Sequence, residues 1–176
     1  HIESLSINKK NIKEMTNSND DLLLVVSDEN NELSAWESKS KKQRWSSSVS
    51  EGETQQMTIN PLNQVLAVLI RKPSLFSSSD QLEIRDLSNG SISQVLDNEG
   101  TKVTFFRFTQ PEILESIYEN GDIISWNIVT GAQISSKNTG HSILSVSKTP
   151  TGITAYVVDN DNISIVTPSG KEISHI

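Results

Sequence analysis

Four times along the chain a short apolar run ends, one residue later, in a Trp-Asp-like pair followed by a Gly-type turn, and this repetition predicts an all-β fold. Anchored on Trp36, Arg85, Trp126 and Ile165, the repeats are spaced by 49, 41 and 39 residues, near the roughly 40–45-residue period of a four-stranded blade. A second marker keeps the same beat: Gly52, Gly100 and Gly140 each precede a run that reaches a proline, at Pro61, Pro111 and Pro150. No segment carries helical periodicity. The predicted architecture is a β-propeller of four-stranded antiparallel blades. It forms a single domain over residues 1–176, with blades at 1–50, 51–98, 99–138 and 139–176. Four blades are the lower limit for such rings. The repeats are therefore expected to belong to a larger seven- or eight-bladed ring, completed by residues missing from this chain, a second copy or another subunit.

The elements follow from local pattern. In the first repeat Ile2, Leu5 and Ile7 alternate as one strand, and a polar stretch runs on to Asp21. Leu22 to Val26 is a continuous apolar run, as expected of a strand covered on both faces by neighbouring blades. Leu33 to Trp36 is the third strand, and Arg44 to Val49 the outer fourth, reached through a basic hairpin. In the second repeat Gln56 to Ile59 and Val65 to Ile70 flank a turn begun by Pro61, and Leu82 to Asp86 is the third strand. Between them, Arg71 to Asp80 reads as an unusually long loop. The third repeat places strands at Val103 to Phe108, Ile113 to Tyr118, Asp122 to Asn127 and Ala132 to Ser135, with Asn120-Gly121 closing a tight hairpin. The fourth places them at Ile143 to Ser147, Ile153 to Val158, Asn162 to Val166 and Lys171 to Ser174.

Composition narrows the chemistry. With 15 Lys and Arg against 22 Asp and Glu the net charge is −7, which argues against direct nucleic-acid binding and favours basic protein partners. There are no cysteines, so disulfides, thiolate metal sites and cysteine nucleophiles are excluded. No stretch approaches the roughly 18 apolar residues of a membrane helix, and no membrane association is expected. The three histidines, at 1, 141 and 175, lie far apart with no metal-ligand spacing. Neither a nucleophile elbow nor a phosphate-binding loop occurs. The sequence thus predicts no catalytic, cofactor or metal residues.

Binding candidates are few. Trp45, on an outer strand beside Lys41, Lys42 and Arg44, is expected to be exposed and available to a partner. Arg71, Lys72 and Phe76 on the long loop of the second repeat form the other candidate set. Trp36 and Trp126, at the repeated strand position, are expected to pack between blades.

Gly140-His141, then Pro150-Thr151-Gly152, then Asp159 or Asp161, then Ile165-Val166 resembles the WD-repeat family, as do Trp126-Asn127 with Gly131 and Arg85-Asp86 with Gly90. The resemblance covers most of the chain. It implies His141 as the structural Gly-His residue, although that family's Asp-His-Ser/Thr-Trp network is complete in no single blade: His141 shares its repeat with Ile165, and Trp126 faces Thr101. It further implies a non-enzymatic scaffold, a subunit of a multiprotein complex in nucleus or cytoplasm. Leu33-Ser34-Ala35-Trp36 followed by Arg44-Trp45 is similar instead to the quinoprotein-type repeat. That alternative implies a ligand-binding module or enzyme at the central channel, with Asp28, Asp122 or Asp159 as its carboxylates.

Overall fold

A computed structural model describes residues 11–175, apart from 50, 63, 74–78, 98–99, 150, 159–161 and 168–170. Among the described residues sixteen strands form four separate four-stranded antiparallel sheets, each following chain order. Blade 1 holds β1 (Ile12–Asn17), β2 (Leu23–Asp28), β3 (Glu32–Glu37) and β4 (Gln43–Ser48). Blade 2 holds β5 (Glu53–Ile59), β6 (Val65–Lys72), β7 (Ser79–Asp86) and β8 (Ile92–Asp97), the last a strand left unassigned by the sequence. Blade 3 holds β9 (Val103–Gln110), β10 (Ile113–Tyr118), β11 (Asp122–Asn127) and β12 (Gln133–Asn138). Blade 4 holds β13 (Ile143–Lys148), β14 (Thr154–Val158), β15 (Asn162–Val166) and β16 (Glu172–His175). The first strands line up around a common axis: β1 lies against β5, β5 against β9 and β9 against β13.

Three sequence expectations need correction. The alternating segment Ile2 to Ile7 lies outside the described residues, and the first described strand, β1, falls within the stretch read as polar. None of its side chains is fully buried, so no apolar pattern announces it. Its ladder to β2 holds it in place. The loop from Arg71 to Asp80 is shorter than expected, because β6 and β7 continue to pair through Arg71↔Asp80 and Lys72↔Ser79. Finally, the fourth anchor is Val166, not Ile165. Trp36, Arg85 and Trp126 each sit immediately after a register shift and face Leu24, Leu66 and Leu114. Val166 follows the same shift and faces Thr154.

Apolar burial is concentrated in the seams between blades. Alternation along a strand sends successive side chains to opposite faces, so each middle strand feeds two seams. Val25 and Leu33 of blade 1 meet Leu66, Val68 and Ile70 of blade 2. Ala67, Leu82 and Ile84, on the opposite face of blade 2, meet Leu114, Tyr118 and Trp126 of blade 3. Ile117 and Ile123 then meet Tyr156 and Val158 of blade 4.

Polar bonds fix the angle between blades. Thr104 Oγ1 donates to Ile143 O at 3.0 Å, and Asn60 Nδ2 donates to Pro111 O at 3.1 Å. In the seam between blades 3 and 4, Glu115 receives both Lys148 Nζ and Arg107 Nε. Burial pushes the Glu115 carboxyl up, but Lys148 and then Arg107 outweigh that effect and hold it below the ordinary carboxylate range.

Candidate functional site

Trp45 is buried, at 8% exposure, against the expectation of an exposed binding residue. Its ring covers Gly90 of the next blade, and Nε1 donates to Leu87 O at 2.8 Å. Gln94, the equivalent residue of blade 2, repeats the contact one seam on: Nε2 donates to Val129 O at 3.0 Å beside Gly131. Trp45 is therefore a seam residue. Its outer strand is covered by the turn of the following blade, a contact between residues 42 positions apart that sequence alone does not display.

The remaining candidates divide between opposite ends of the propeller. Lys41, Lys42 and Arg44 are exposed on the β3–β4 side. Arg71 and Lys72 lie at the other end, and Phe76 is outside the described residues. Arg71 holds Asp80 with two parallel bonds, Nε to Oδ1 at 2.9 Å and Nη2 to Oδ2 at 3.1 Å, and Asp80 Oδ2 also accepts Val103 N at 2.9 Å from blade 3. The bond to Asp80 raises the guanidinium pKa further. Arg71 thus braces a seam while lining a small polar crevice of about 260 Å³.

A broad concavity lies at the end that carries Arg44. This cleft, of about 720 Å³, runs across the turns of blades 1, 2 and 3. The β1–β2 turn contributes Asp20 and Leu22, the β7–β8 turn Asp86, Leu87 and Ser88, and the β11–β12 turn Val129. Each β-turn is held from below: Ser38 N donates to Leu22 O, Leu87 N to Gln64 O and Ile128 N to Glu112 O. Leu22 and Val129 remain 46% and 62% exposed on this supported floor.

Two carboxylates stand among these apolar groups. Asp20 Oδ1 accepts the Ser18 hydroxyl and Leu22 N, and these bonds, that of Ser18 foremost, lower its pKa. Asp86 accepts Ser88 N at 2.7 Å, and the Ser88 side chain, then its backbone, lowers its pKa likewise. Both stay ionised at neutral pH. Their turns hold them, so they present fixed negative charge rather than a proton-transfer pair. Asp20, Leu22 and Val129 were missed in the sequence because nothing in the repeat pattern separates a turn residue facing a cleft from one facing water.

Two of the three acids expected near the channel accept hydrogen bonds within turns. Asp28 Oδ1 accepts Asn30 N and Glu32 N, Asp122 receives the amides of Asn120 and Asn138, and Asp159 lies outside the described residues. Among the described residues no group of three or more His, Asp or Glu could hold a metal ion. The structural repeat residues divide in role. Trp126 is buried between blades and its Nε1 donates to Ser116 Oγ at 2.8 Å. Asp86 caps its turn. Gly140 takes a positive φ of 78°. The side chain of His141, which the resemblance implies as the structural Gly-His residue, is exposed, while its backbone carbonyl accepts Thr139 Oγ1 and closes over Gly121.

No family model and no curated protein matches the sequence. Among solved structures, the crystal structure of BamB from Moraxella catarrhalis is similar, with a TM-score of 0.71 and 10% sequence identity. The similarity covers 94% of this chain and 50% of that one, so this chain spans half the length of that structural relative. Together with the four helix-free antiparallel sheets, the likeness defines the class: the chain has a β-propeller fold.

Proposed function

We propose that the chain is a non-enzymatic, WD-repeat-like propeller scaffold that holds an extended, basic and apolar segment of a partner protein in the cleft across blades 1 to 3. The observation that carries this reading is the pairing of exposed Leu22 and Val129 with the fixed carboxylates Asp20 and Asp86 in one supported concavity. Apolar anchors supply affinity and the ionised turns select charge, the usual division in a protein interface. The net charge of −7 favours basic segments over the whole surface, and the Trp126–Ser116 bond supports the WD-like repeat. A subunit role in a larger complex, in nucleus or cytoplasm, belongs to the same proposal and rests on the repeat resemblance.

The test uses a fluorescein-labelled nonapeptide of alternating Leu and Arg, with a matched peptide carrying Glu for Arg, read by fluorescence anisotropy. The Leu/Arg peptide should bind and the Leu/Glu peptide should not. Leu22→Ser combined with Val129→Ser removes two exposed apolar anchors without changing the charge of the cleft, and should weaken binding at least tenfold while leaving the circular dichroism unchanged. Equal binding of both peptides, or no loss in the double variant, would refute the reading.

A further inference from the structure

The basic hairpin between β3 and β4 plays no part in the reading above. It carries Lys39, Lys42 and Arg44, all exposed. Its backbone is fixed, because Glu37 N donates to Lys42 O and Lys41 N to Glu37 O, both at 2.9 Å. Arg44 is the extra residue of a β-bulge, since Ala35 pairs with Trp45 and Trp36 with Gln43. A bulge turns its extra residue out of the ladder, and Arg44 lines the cleft. Ser93, the bulge residue of blade 2, lines the same cleft.

Exposure at these positions is a property of the turn. The same turn bonds and bulge set Lys39, Lys42 and Arg44 level with Ser88, Ser91 and Ser93 in blade 2 and with Val129, Ala132 and Ile134 in blade 3. All six equivalents are exposed, although an outer-strand side chain of the neighbouring blade packs on each of those two turns. Across the blades the strip is cationic, then hydroxylic, then apolar, with Val129 62% and Ile134 53% exposed. The carboxylates Asp20 and Asp86 line the cleft beside its first two parts.

Elsewhere in the chain cations are paired or scattered. Arg71, Arg85, Lys102, Arg107 and Lys148 each meet a carboxylate, and Lys72, Lys137 and Lys171 stand singly on three different blades. Among the described residues Lys39, Lys42 and Arg44 form no ion pair, although the chain has 22 acids to 15 bases. The hairpin's own carboxylate, Glu37, accepts the Ser40 hydroxyl at 2.6 Å. Asp20 and Asp86 are held by their own turns. Three uncompensated positive charges on one fixed turn repel one another and attract an anionic partner.

We propose that this hairpin extends the cleft and takes a cluster of Asp or Glu from the partner segment, which then runs from acidic at the hairpin, through basic beside Asp20 and Asp86, to apolar at blade 3. The inference rests on the peptide-binding reading of the cleft and adds the order of charge along the partner. A nucleic-acid strand continuing into the cleft would bring its phosphates against the ionised Asp20 and Asp86, which favours a protein segment.

The test extends the Leu/Arg nonapeptide by four Asp residues at one end or the other, with four Ser as the matched extension, and reads anisotropy with the whole chain. One of the Asp extensions should bind about threefold or more tighter than its Ser counterpart, and the advantage should disappear at high salt. Lys39→Gln with Lys42→Gln and Arg44→Gln changes three exposed side chains. It should abolish the advantage without weakening binding of the Ser-extended peptide or altering the circular dichroism. Charge reversal to Glu at the same three positions should transfer the preference to a Lys-extended peptide. If the unextended peptide binds but neither Asp extension exceeds its Ser control, or if the advantage survives in the triple Gln variant, the hairpin inference fails and the cleft reading stands. If no peptide binds, both fail. An oligothymidylate that binds more tightly than either Asp-extended peptide would also overturn the proposal, by assigning the patch to nucleic acid.

Discussion

Arg85 stands where blades 1 and 3 carry tryptophan, and it is 1% exposed. Its Nε donates to Glu83 Oε2 at 2.8 Å and Nη2 donates to the same oxygen. Nη1 reaches Ser47 Oγ at 2.9 Å and Gly90 O at 3.0 Å, and Nη2 reaches Ser48 O at 3.2 Å. Glu83 is itself fully buried. Replacing Arg85 by Met would keep most of the volume but leave a carboxylate without its cation in a dry seam, at a cost of about 3–5 kcal/mol. The lost bonds to two carbonyls would add to this. Replacing both residues, Arg85→Met with Glu83→Leu, would remove the stranded charge and recover part of the loss, since a buried ion pair is often no better than an apolar pair of similar volume. Urea unfolding of Arg85→Met, Glu83→Leu and the double variant, followed by Trp fluorescence, gives the three free-energy differences. The expected order is wild type, then the double variant, then Arg85→Met as the least stable. A double variant as unstable as the sum of the single changes would refute the view that the penalty is a stranded charge, and would assign it to packing or to the carbonyl bonds.

Other consequences follow from the same geometry. Gly90→Ala combines a positive φ of 77° with a Cβ within 2.6 Å of Trp45, and should destabilise more than Gly140→Ala, which has a similar φ and open space. The backbone term common to both is on the order of 1–3 kcal/mol, and thermal melts of the two variants measure the difference due to Trp45. Burial pushes the Tyr118 hydroxyl up to about 12 from 10.0. The folded state therefore keeps this proton longer than the unfolded one, and stability from Tyr118 should be lost as pH rises from 10 toward 12, whereas Tyr118→Phe should flatten that limb of a stability–pH curve. The Glu115 carboxyl is shifted the opposite way, downward. Its contribution is present above the ordinary carboxylate pKa and should fade as pH falls below about 4.3. Glu115→Gln should remove that acid-limb slope.

Much of the fold was legible because a propeller repeats one physical problem four times. A strand covered on both faces must be apolar throughout, and the runs Leu22 to Val26 and Val65 to Ile70 announce β2 and β6 for that reason. Turns declared themselves through Asn120-Gly121 and through the proline that begins the turn at Pro61. What stayed illegible lies where the covering is one-sided or absent. The innermost β1 has exposed Ile12 and Met15 and buries none of its own side chains, so no alternation marks it in the sequence. The slip from Val166 to Ile165 has a related cause. The register shift before every anchor inserts a residue into the outer strand, and a sequence spacing cannot show which of two adjacent apolar residues lies beyond it.

The site was less legible, because the features that decide it are contacts between repeats. Trp45 reads as an exposed aromatic beside Lys41, Lys42 and Arg44 until Gly90, in the following blade, is placed beneath it. The same positions explain why the blades need not share a sequence motif. Trp45 over Gly90 and Gln94 over Gly131 solve one packing task with different volumes, each matched to a glycine that the neighbouring turn supplies. A repeat scored by itself loses this pairing, since half of every matched pair belongs to the next repeat. Which surfaces of this propeller are free for partners is therefore decided by which seams are closed, and the cleft across blades 1 to 3 lies where two closed seams hold its floor rigid.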